Sequence, residues 1–232
     1  MAQKIGRIKR FFIVHIGPII AAIYKRYGRR RVKILGNTYL IYKGVFNPKM
    51  LGISEFMARN MEVESNQMVL DMCTGSGILA ITAGFKAHSV IAVDINPAAA
   101  RCAKDNVKRN GLRNVEVVRG DLFSSLKPIP YFNAIFIHPP FFVGKPEGNE
   151  SVNRNDSKES FTERFFRDAT NHLKSGGYIQ MVYPSFASNE IVISTARREG
   201  WNCSISSEKK GLFGKIYIYK FERGKIEENR LE

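Results

Sequence analysis

Two rhythms of hydrophobic positions run along this chain. Strand-length stretches recur near residues 68–73, 89–94, 114–118, 131–137, 177–183, 201–207 and 214–222, the first two being short and almost wholly apolar. Runs of that length, rich in β-branched residues, are the mark of strands buried on both faces. Between them, over about 77–86, 97–110, 159–174 and 188–199, apolar residues return every three or four positions, the period of a helix with one buried face. Strands alternating with helices predict an α/β fold around a parallel sheet. Asn96-Pro97 opens the second helix and Asn110-Gly111 closes it. Only Lys209 to Phe213 separates the last two strands, so they must pair antiparallel. Upstream, Val32–Leu35, Gly36-Asn37 and Thr38–Tyr42 read as a β-hairpin, and a short helix is expected from Ser54, its N-cap, to Met61. No internal repeat is present.

The chemistry concentrates where the first of these strands ends. Met68-Val69-Leu70-Asp71-Met72-Cys73 breaks into Thr74-Gly75-Ser76-Gly77, and helical spacing resumes at Ile78 and Leu79. Glycines there let the backbone turn sharply and approach a ligand, and the following helix aims unpaired N–H groups into the same space. Ser89–Asp94 is a second buried strand whose terminal carboxylate lies about 20 residues past the glycines, where a nucleotide-binding βαβ unit holds the ribose hydroxyls. Gly75-Ser76-Gly77-Ile78-Leu79-Ala80 also fits the dinucleotide fingerprint. Two features favour a different nucleoside. Asp71 stands four residues before Gly75, where an acid can meet a cationic amino group, and the fourth strand ends in His138-Pro139-Pro140-Phe141-Phe142, which hydride transfer does not require.

Asp71-Met72-Cys73-Thr74-Gly75-Ser76-Gly77, then Asp94, then Gly120-Asp121-Leu122-Phe123, then a strand ending Pro139-Pro140-Phe141 together resemble a class I S-adenosylmethionine-dependent methyltransferase. The nearest likeness is to the group with an Asn-Pro-Pro-aromatic motif, which includes glutamine methyltransferases of peptide release factors and exocyclic-amine methyltransferases of DNA and RNA. The resemblance spans roughly residues 44 to 222. It implies a Rossmann-like seven-stranded sheet of order 3-2-1-4-5-7-6, counted from the strand at Met68, with the last strand antiparallel and helices on both faces. A basic helix and hairpin over residues 1–43 would precede a methyltransferase domain over 44–232. The implied cofactor is S-adenosyl-L-methionine, bound by Asp71, Cys73, Gly75, Gly77, Asp94, Ile95, Asp121 and Leu122. In that assignment Asp94 takes the ribose, Ile95 lies beside the adenine, Asp121 accepts from its amine and Leu122 packs on the ring. Cys73 replaces a glycine common in the family, at little expected cost. Phe46, Pro48, Ser54 and Glu55 fall where the family closes a proline and a Thr-Glu-like pair over the cofactor.

The resemblance puts the reacting group at His138, Pro139, Pro140 and Phe141. In the family an Asn side chain and the next proline's carbonyl accept hydrogen bonds from a planar NH2, and the aromatic stacks on the target. Here His138 replaces the Asn. A neutral imidazole offers one acceptor nitrogen, so an NH2 can still be held. Histidine is also able to take a proton from an amine, hydroxyl or thiol. Three functions therefore stand open: methylation of a nitrogen on RNA or protein, methylation of a small molecule with His138 as base, and a catalytically silent cofactor- or RNA-binding module.

Composition narrows the rest. The 232 residues are 44% hydrophobic, enough for one substantial core and incompatible with global disorder. Cys73, Cys102 and Cys203 are an odd, scattered set with no disulfide framework, as expected in a reducing, cytoplasmic compartment. His15, His88, His138 and His172 show no metal-ligand spacing, so no metal is expected. The net charge of +15 is uneven: residues 1–54 hold twelve Lys or Arg and no acid. Such an arm suits RNA, an acidic protein or an anionic membrane surface. Within it, the apolar run Phe11–Tyr24 is shorter than the roughly 20 residues a spanning helix needs, and no small-residue cleavage site follows. It reads as a helix packed on the domain or lying in a membrane interface. The polar stretch 143–156, after the fourth strand, reads as a lid or an insertion.

Overall fold

A computed structural model describes residues 30–140, 160–187, 189–212 and 214–224. The basic arm before Arg30, with its apolar run, Phe141 and the polar stretch after it lie outside the described residues. The elements are β1 (Arg30–Ile34), β2 (Asn37–Ile41), α1 (Ile53–Arg59), β3 (Met68–Met72), α2 (Ile78–Gly84), β4 (Ser89–Asp94), α3 (Pro97–Arg109), β5 (Val115–Arg119), β6 (Phe132–Ile137), α4 (Phe161–Ala169), β7 (Leu173–Pro184), α5 (Asn189–Arg198), β8 (Trp201–Gly211) and β9 (Gly214–Arg223). β1 and β2 form a separate hairpin, and the other seven strands form one sheet of order β5-β4-β3-β6-β7-β9-β8. That is the expected order. The central strands pair parallel, and β9 runs antiparallel to both β7 and β8.

Strand alternation sorts the core into two layers. Val69 of β3, Ala134 and Phe136 of β6, and Val182 of β7 face α1, α2 and α3. Leu70, Met72, Ile135, Ile137 and Ile179 face the opposite way, onto Phe165 and Phe166 of α4 and Val192 and Ala196 of α5. The second layer is aromatic: Phe166 meets Phe221 edge to face at 4.8 Å, and the fully buried Trp201 donates its indole N–H to the Phe166 carbonyl at 3.1 Å. Among the described residues no helix is long and apolar enough to cross a membrane.

The hairpin packs into the first layer. Ile34, Tyr39 and Ile41 belong to the same buried cluster as the sheet, so packing runs across the boundary drawn at residue 43. Its turn is Leu35-Gly36, both at positive φ (52° and 79°), one residue earlier than expected; Ile34 pairs with Asn37. Two positive φ values define the turn whose twist suits a two-residue hairpin.

Side chains on α3 and at its C-cap lock the hairpin to the sheet: Asn110 donates to the Thr38 carbonyl (3.2 Å), the Cys102 thiol to the Leu40 carbonyl (3.0 Å), and Asn106 makes the most contacts. Asn106, fully buried on α3, accepts from the Leu40 N–H (2.7 Å) and donates to the carbonyls of Leu40 and Ser76 (both 2.9 Å). It therefore ties β2 to the glycine turn that follows β3. Gly77, within that turn, sits at φ 83° with α3 close behind: a Cβ there would lie 3.2 Å from the Ala103 backbone. Asn106→Ala should leave the Leu40 N–H and the Ser76 carbonyl without their partner in a buried place, and the Leu40 carbonyl with only the Cys102 thiol at 3.0 Å, which costs about 1–3 kcal/mol for each unsatisfied group before relaxation. The expected result in a thermal melt is a fall on the order of 5–15 °C, at roughly 2–4 °C per kcal/mol for a chain of this size. An unchanged melting temperature would remove Asn106 from this role.

Candidate active site

Ligands of open α/β sheets bind beyond the carboxyl ends of the strands, where the strand order reverses. Here the reversal falls between β3 and β6, and a cavity of about 840 Å³ opens there. Its floor is built from the segments after β3, β4, β5 and β6. The hairpin exit supplies Phe46 and Pro48, α1 supplies Ser54, and α4 supplies Phe161 and Arg164.

The turn after β3 is pinned by its neighbour. Cys73, Gly75 and Gly77 take positive φ values of 62°, 56° and 83°. The Thr74 N–H donates to the Val93 carbonyl (3.0 Å), and the Gly75 N–H donates to Asp94 Oδ2 (2.8 Å). Asp94 Oδ1 accepts from the Asn96 N–H (2.9 Å). The carboxylate thus joins two loops while retaining lone pairs on both oxygens. Burial pushes its pKa up, and the two backbone N–H groups oppose that shift by favouring the charged form. Beside Gly75 a Cβ would meet nothing within 4 Å among the described residues, and the glycine lines the cavity.

Cys73 is a correction. A non-glycine residue at φ 62° carries backbone strain, on the order of 1–2 kcal/mol, so the substitution of glycine is not cheap. Burial, followed by the nearby Asp94, Asp71 and Asp121, raises its thiol well above the ordinary cysteine value, which keeps it protonated and unreactive. Leu122, at φ 49°, is the buried counterpart on the β5 side.

Two expected cofactor residues stand behind the cavity wall. Val69 and Asp71 share a face of β3, and that face is covered by α2. Asp71 is fully buried; Oδ2 accepts from the Thr74 hydroxyl (2.6 Å) and the Ala80 N–H (2.9 Å), and Oδ1 has no partner among the described residues. It braces the turn from beneath and is not among the lining residues. Gly77 likewise is absent from the lining and serves helix packing. Cys73, Gly75, Asp94, Ile95, Asp121, Leu122, His138, Pro139 and Pro140 do line the cavity, whereas Phe141 lies outside the described residues.

His138 follows β6, half-buried against Phe46, whose ring meets it edge-on at 5.5 Å. Its Nδ1 is 2.9 Å from the Ser54 hydroxyl. Ser54 therefore does not cap α1. The N-cap is Gly52, in the left-handed region at φ 61°, and Ser54 points inward with 2% exposure. Desolvation lowers the His138 pKa to about 4, so the imidazole is neutral throughout the physiological range. Glu55 faces away, paired with Arg59 at 2.8 Å.

Sequence reasoning missed Arg119, Phe161 and Arg164 of the lining. Phe161 and Arg164 are three apart on a helix and so share a face, but nothing in the sequence shows which way that face is turned. Arg164 Nη2 lies 2.6 Å from Asp121 Oδ2. Among the described residues no group of three or more His, Cys, Asp or Glu is placed to hold a metal ion.

Asp71 gives the site a pH signature. Burial raises its pKa from an ordinary 3.8 to about 7, more than its two hydrogen bonds lower it. The folded protein then holds a proton that the unfolded chain has already lost, so this group's contribution is fully present below about pH 4 and fades as pH rises through about 7. Asp71→Asn removes the titration. Its stability relative to the parent should grow by a few kcal/mol between pH 4 and 8, as read by denaturant midpoints across that range. A parallel pH dependence of the two proteins would show that Asp71 is charged when folded.

The cavity fits an adenosine-bearing cofactor on its own terms. A glycine turn lines it, a carboxylate ends β4, a second follows β5, and the volume suits a nucleoside with a short tail. The comparisons agree. Residues 37–199 match the methyltransferase small domain family. A Methanocaldococcus jannaschii protein provisionally named a protein N5-glutamine methyltransferase is 25% identical over 194 residues, covering 81% of this chain and 96% of its own. The ribosomal RNA small subunit methyltransferase C of Psychromonas ingrahamii is 31% identical over 140 residues, 59% of this chain and 36% of its own. The solved T. thermophilus 16S rRNA N2 G1207 methyltransferase, in complex with AdoMet and guanosine, superposes with a TM-score of 0.62 at 18% identity, over 84% of this chain and 50% of its own. The chain belongs to the methyltransferase small domain family and is an S-adenosylmethionine-dependent methyltransferase.

Proposed function

We propose that this enzyme methylates a planar NH2 group, the exocyclic amine of a base in RNA, and that His138 and the Pro139 carbonyl orient it. The observation that carries this reading is His138 itself: a neutral imidazole on the cavity wall, fixed through Nδ1 by Ser54. The sheet order supports it. Asp94 ends β4 and Asp121 follows β5 on one side of the glycine turn, and His138 follows β6 on the other. The two acids would hold the nucleoside, and His138 lines the cavity across the glycine turn from them. The cofactor supplies an activated methyl group when bound; the chain's residues position the acceptor and exclude water, which is where most of the rate arises in such transfers.

A pKa near 4 makes His138 a poor base at neutral pH, and in the tautomer whose Nδ1–H donates to Ser54 Oγ the acceptor nitrogen is Nε2. That favours holding an NH2 over deprotonating a hydroxyl or thiol. Phe46 beside it offers a ring face or edge to a planar target. RNA is favoured by charge: Arg30, Arg31, Lys33, Lys43 and Lys49 are all exposed on the segment leading into the cavity, and no acid precedes Glu55. A protein glutamine amide is the second reading, supported by the M. jannaschii relative, whose similarity covers nearly its whole length. Labelled methyl from S-adenosylmethionine, followed into the RNA, protein and small-molecule fractions of a cell extract, should enter RNA. Label confined to protein selects the second reading, and label only in small molecules overturns both.

The role of His138 is separately measurable. His138→Ala should keep cofactor affinity while turnover falls by a factor on the order of 100, the scale of a misplaced reactant. His138→Asn should recover most of the loss, because a side-chain amide oxygen also accepts from NH2. Since burial holds the histidine at about 4, kcat/KM of the parent should show no inflection assignable to it between pH 6 and 8. An inflection near 6.5 that vanishes in His138→Asn would make it a base.

A further inference from the structure

Arg164 is explained by nothing so far. It projects from α4 onto the cavity wall, a quarter exposed, and its Nη2 donates to Asp121 Oδ2 at 2.6 Å. The helix that carries it is firmly seated. A reciprocal Ser160–Glu163 capping box closes its N-terminus, Glu163 pairs with Arg198 of α5 at 2.8 Å, and Phe165 and Phe166 are fully buried beneath. Arg119, the other guanidinium of the described lining, donates instead to the Ile95 carbonyl at 3.4 Å. Asp121 is equally constrained at its backbone. Its N–H donates to Ser124 Oγ (3.2 Å), Leu122 next to it is at φ 49°, and a Cβ on Gly120 would collide with Ser125 Oγ at 2.1 Å. The side chain of Asp121 is partly exposed, and one arginine from α4 holds one of its oxygens.

We propose that Arg164 is a positioning residue for the cofactor's base: by engaging Oδ2 it turns Asp121 Oδ1 to the exocyclic amine of the adenine and makes the site selective for a 6-aminopurine. This rests on the reading that Asp121 accepts from that amine. A carboxylate with both oxygens free rotates about its last bond and spends part of its hydrogen-bonding capacity on water. Held at one oxygen, it presents the other in a fixed direction, so the amine is recognised by a preorganised acceptor. Arg164 then contributes to cofactor choice through Asp121.

The test is calorimetric and uses two ligands with the full chain: S-adenosylhomocysteine and its 6-deamino analogue, which carries hydrogen in place of the amine. The parent should prefer the amine-bearing ligand by about tenfold or more, the worth of one charge-assisted hydrogen bond. Asp121→Asn and Arg164→Gln should each reduce that preference to about threefold or less, and Arg164→Lys should retain most of it because a cation remains. If Asp121→Asn erases the preference and Arg164→Gln leaves it whole, Arg164 is not a positioning residue. If neither variant changes it, the reading of Asp121 is wrong and the proposal falls with it. A purely structural role for Arg164 would weaken both ligands equally, an unchanged ratio that also overturns the proposal.

Discussion

The carboxylate of Asp94 is the constraint on which the site depends. By accepting from Gly75 and Asn96 it fixes the turn after β3 against the start of α3. A free turn with three positive φ values would be costly to order. It is held instead from three sides: by Asp94 from β4, by Asp71 and its partners Thr74 and Ala80 from beneath, and by Asn106, which reaches the Ser76 carbonyl from α3. The same Asn106 binds Leu40 and carries the hairpin. Gly44, Val45, Phe46 and Pro48, which line the cavity just after the hairpin, are thereby linked to the turn that floors it, and this buried amide is one of the links. Binding surface and scaffold are one hydrogen-bonded unit, and polar groups inside it tolerate little change.

Much of the fold was legible because the buried strands leave no choice. A run such as Val69-Leu70 or Ile135-Phe136-Ile137, apolar on both faces, has to be central. Errors arose where the sequence turns polar while pairing continues. β7 starts at Leu173, through Lys174-Ser175-Gly176-Gly177, and the helix before it stops at Ala169 instead of running to 174. β8 extends to Gly211 through Ser206-Ser207-Glu208-Lys209-Lys210, with a register shift between Ile205 and Ser207. It is an edge strand, where one side faces solvent and polar residues pair without penalty.

The site was legible in its motifs and less so in its directions. Asp94, Asp121 and His138 all line the cavity, and each stood out in the sequence because it ends a strand or follows one closely. Asp71 was misplaced because its face of β3 is decided by α2, a tertiary fact, although the alternation with Val69 points that way. Ser54 reads as a cap by residue type. Gly52, at φ 61°, takes that role and frees the hydroxyl for His138. Arg164 was invisible, since an arginine on an amphipathic helix is ordinarily a solvated charge, and only the packing of α4 shows that it reaches Asp121.

The identity of the methylated atom tests the central claim most directly. Mass spectrometry of the acceptor, after transfer of a deuterated methyl group and digestion to nucleosides or peptides, locates the label. The neutral, Ser54-anchored imidazole beside the Pro139 carbonyl predicts a methyl on an exocyclic NH2. A methyl on a hydroxyl, a thiol, a carbon or a ring nitrogen would contradict it.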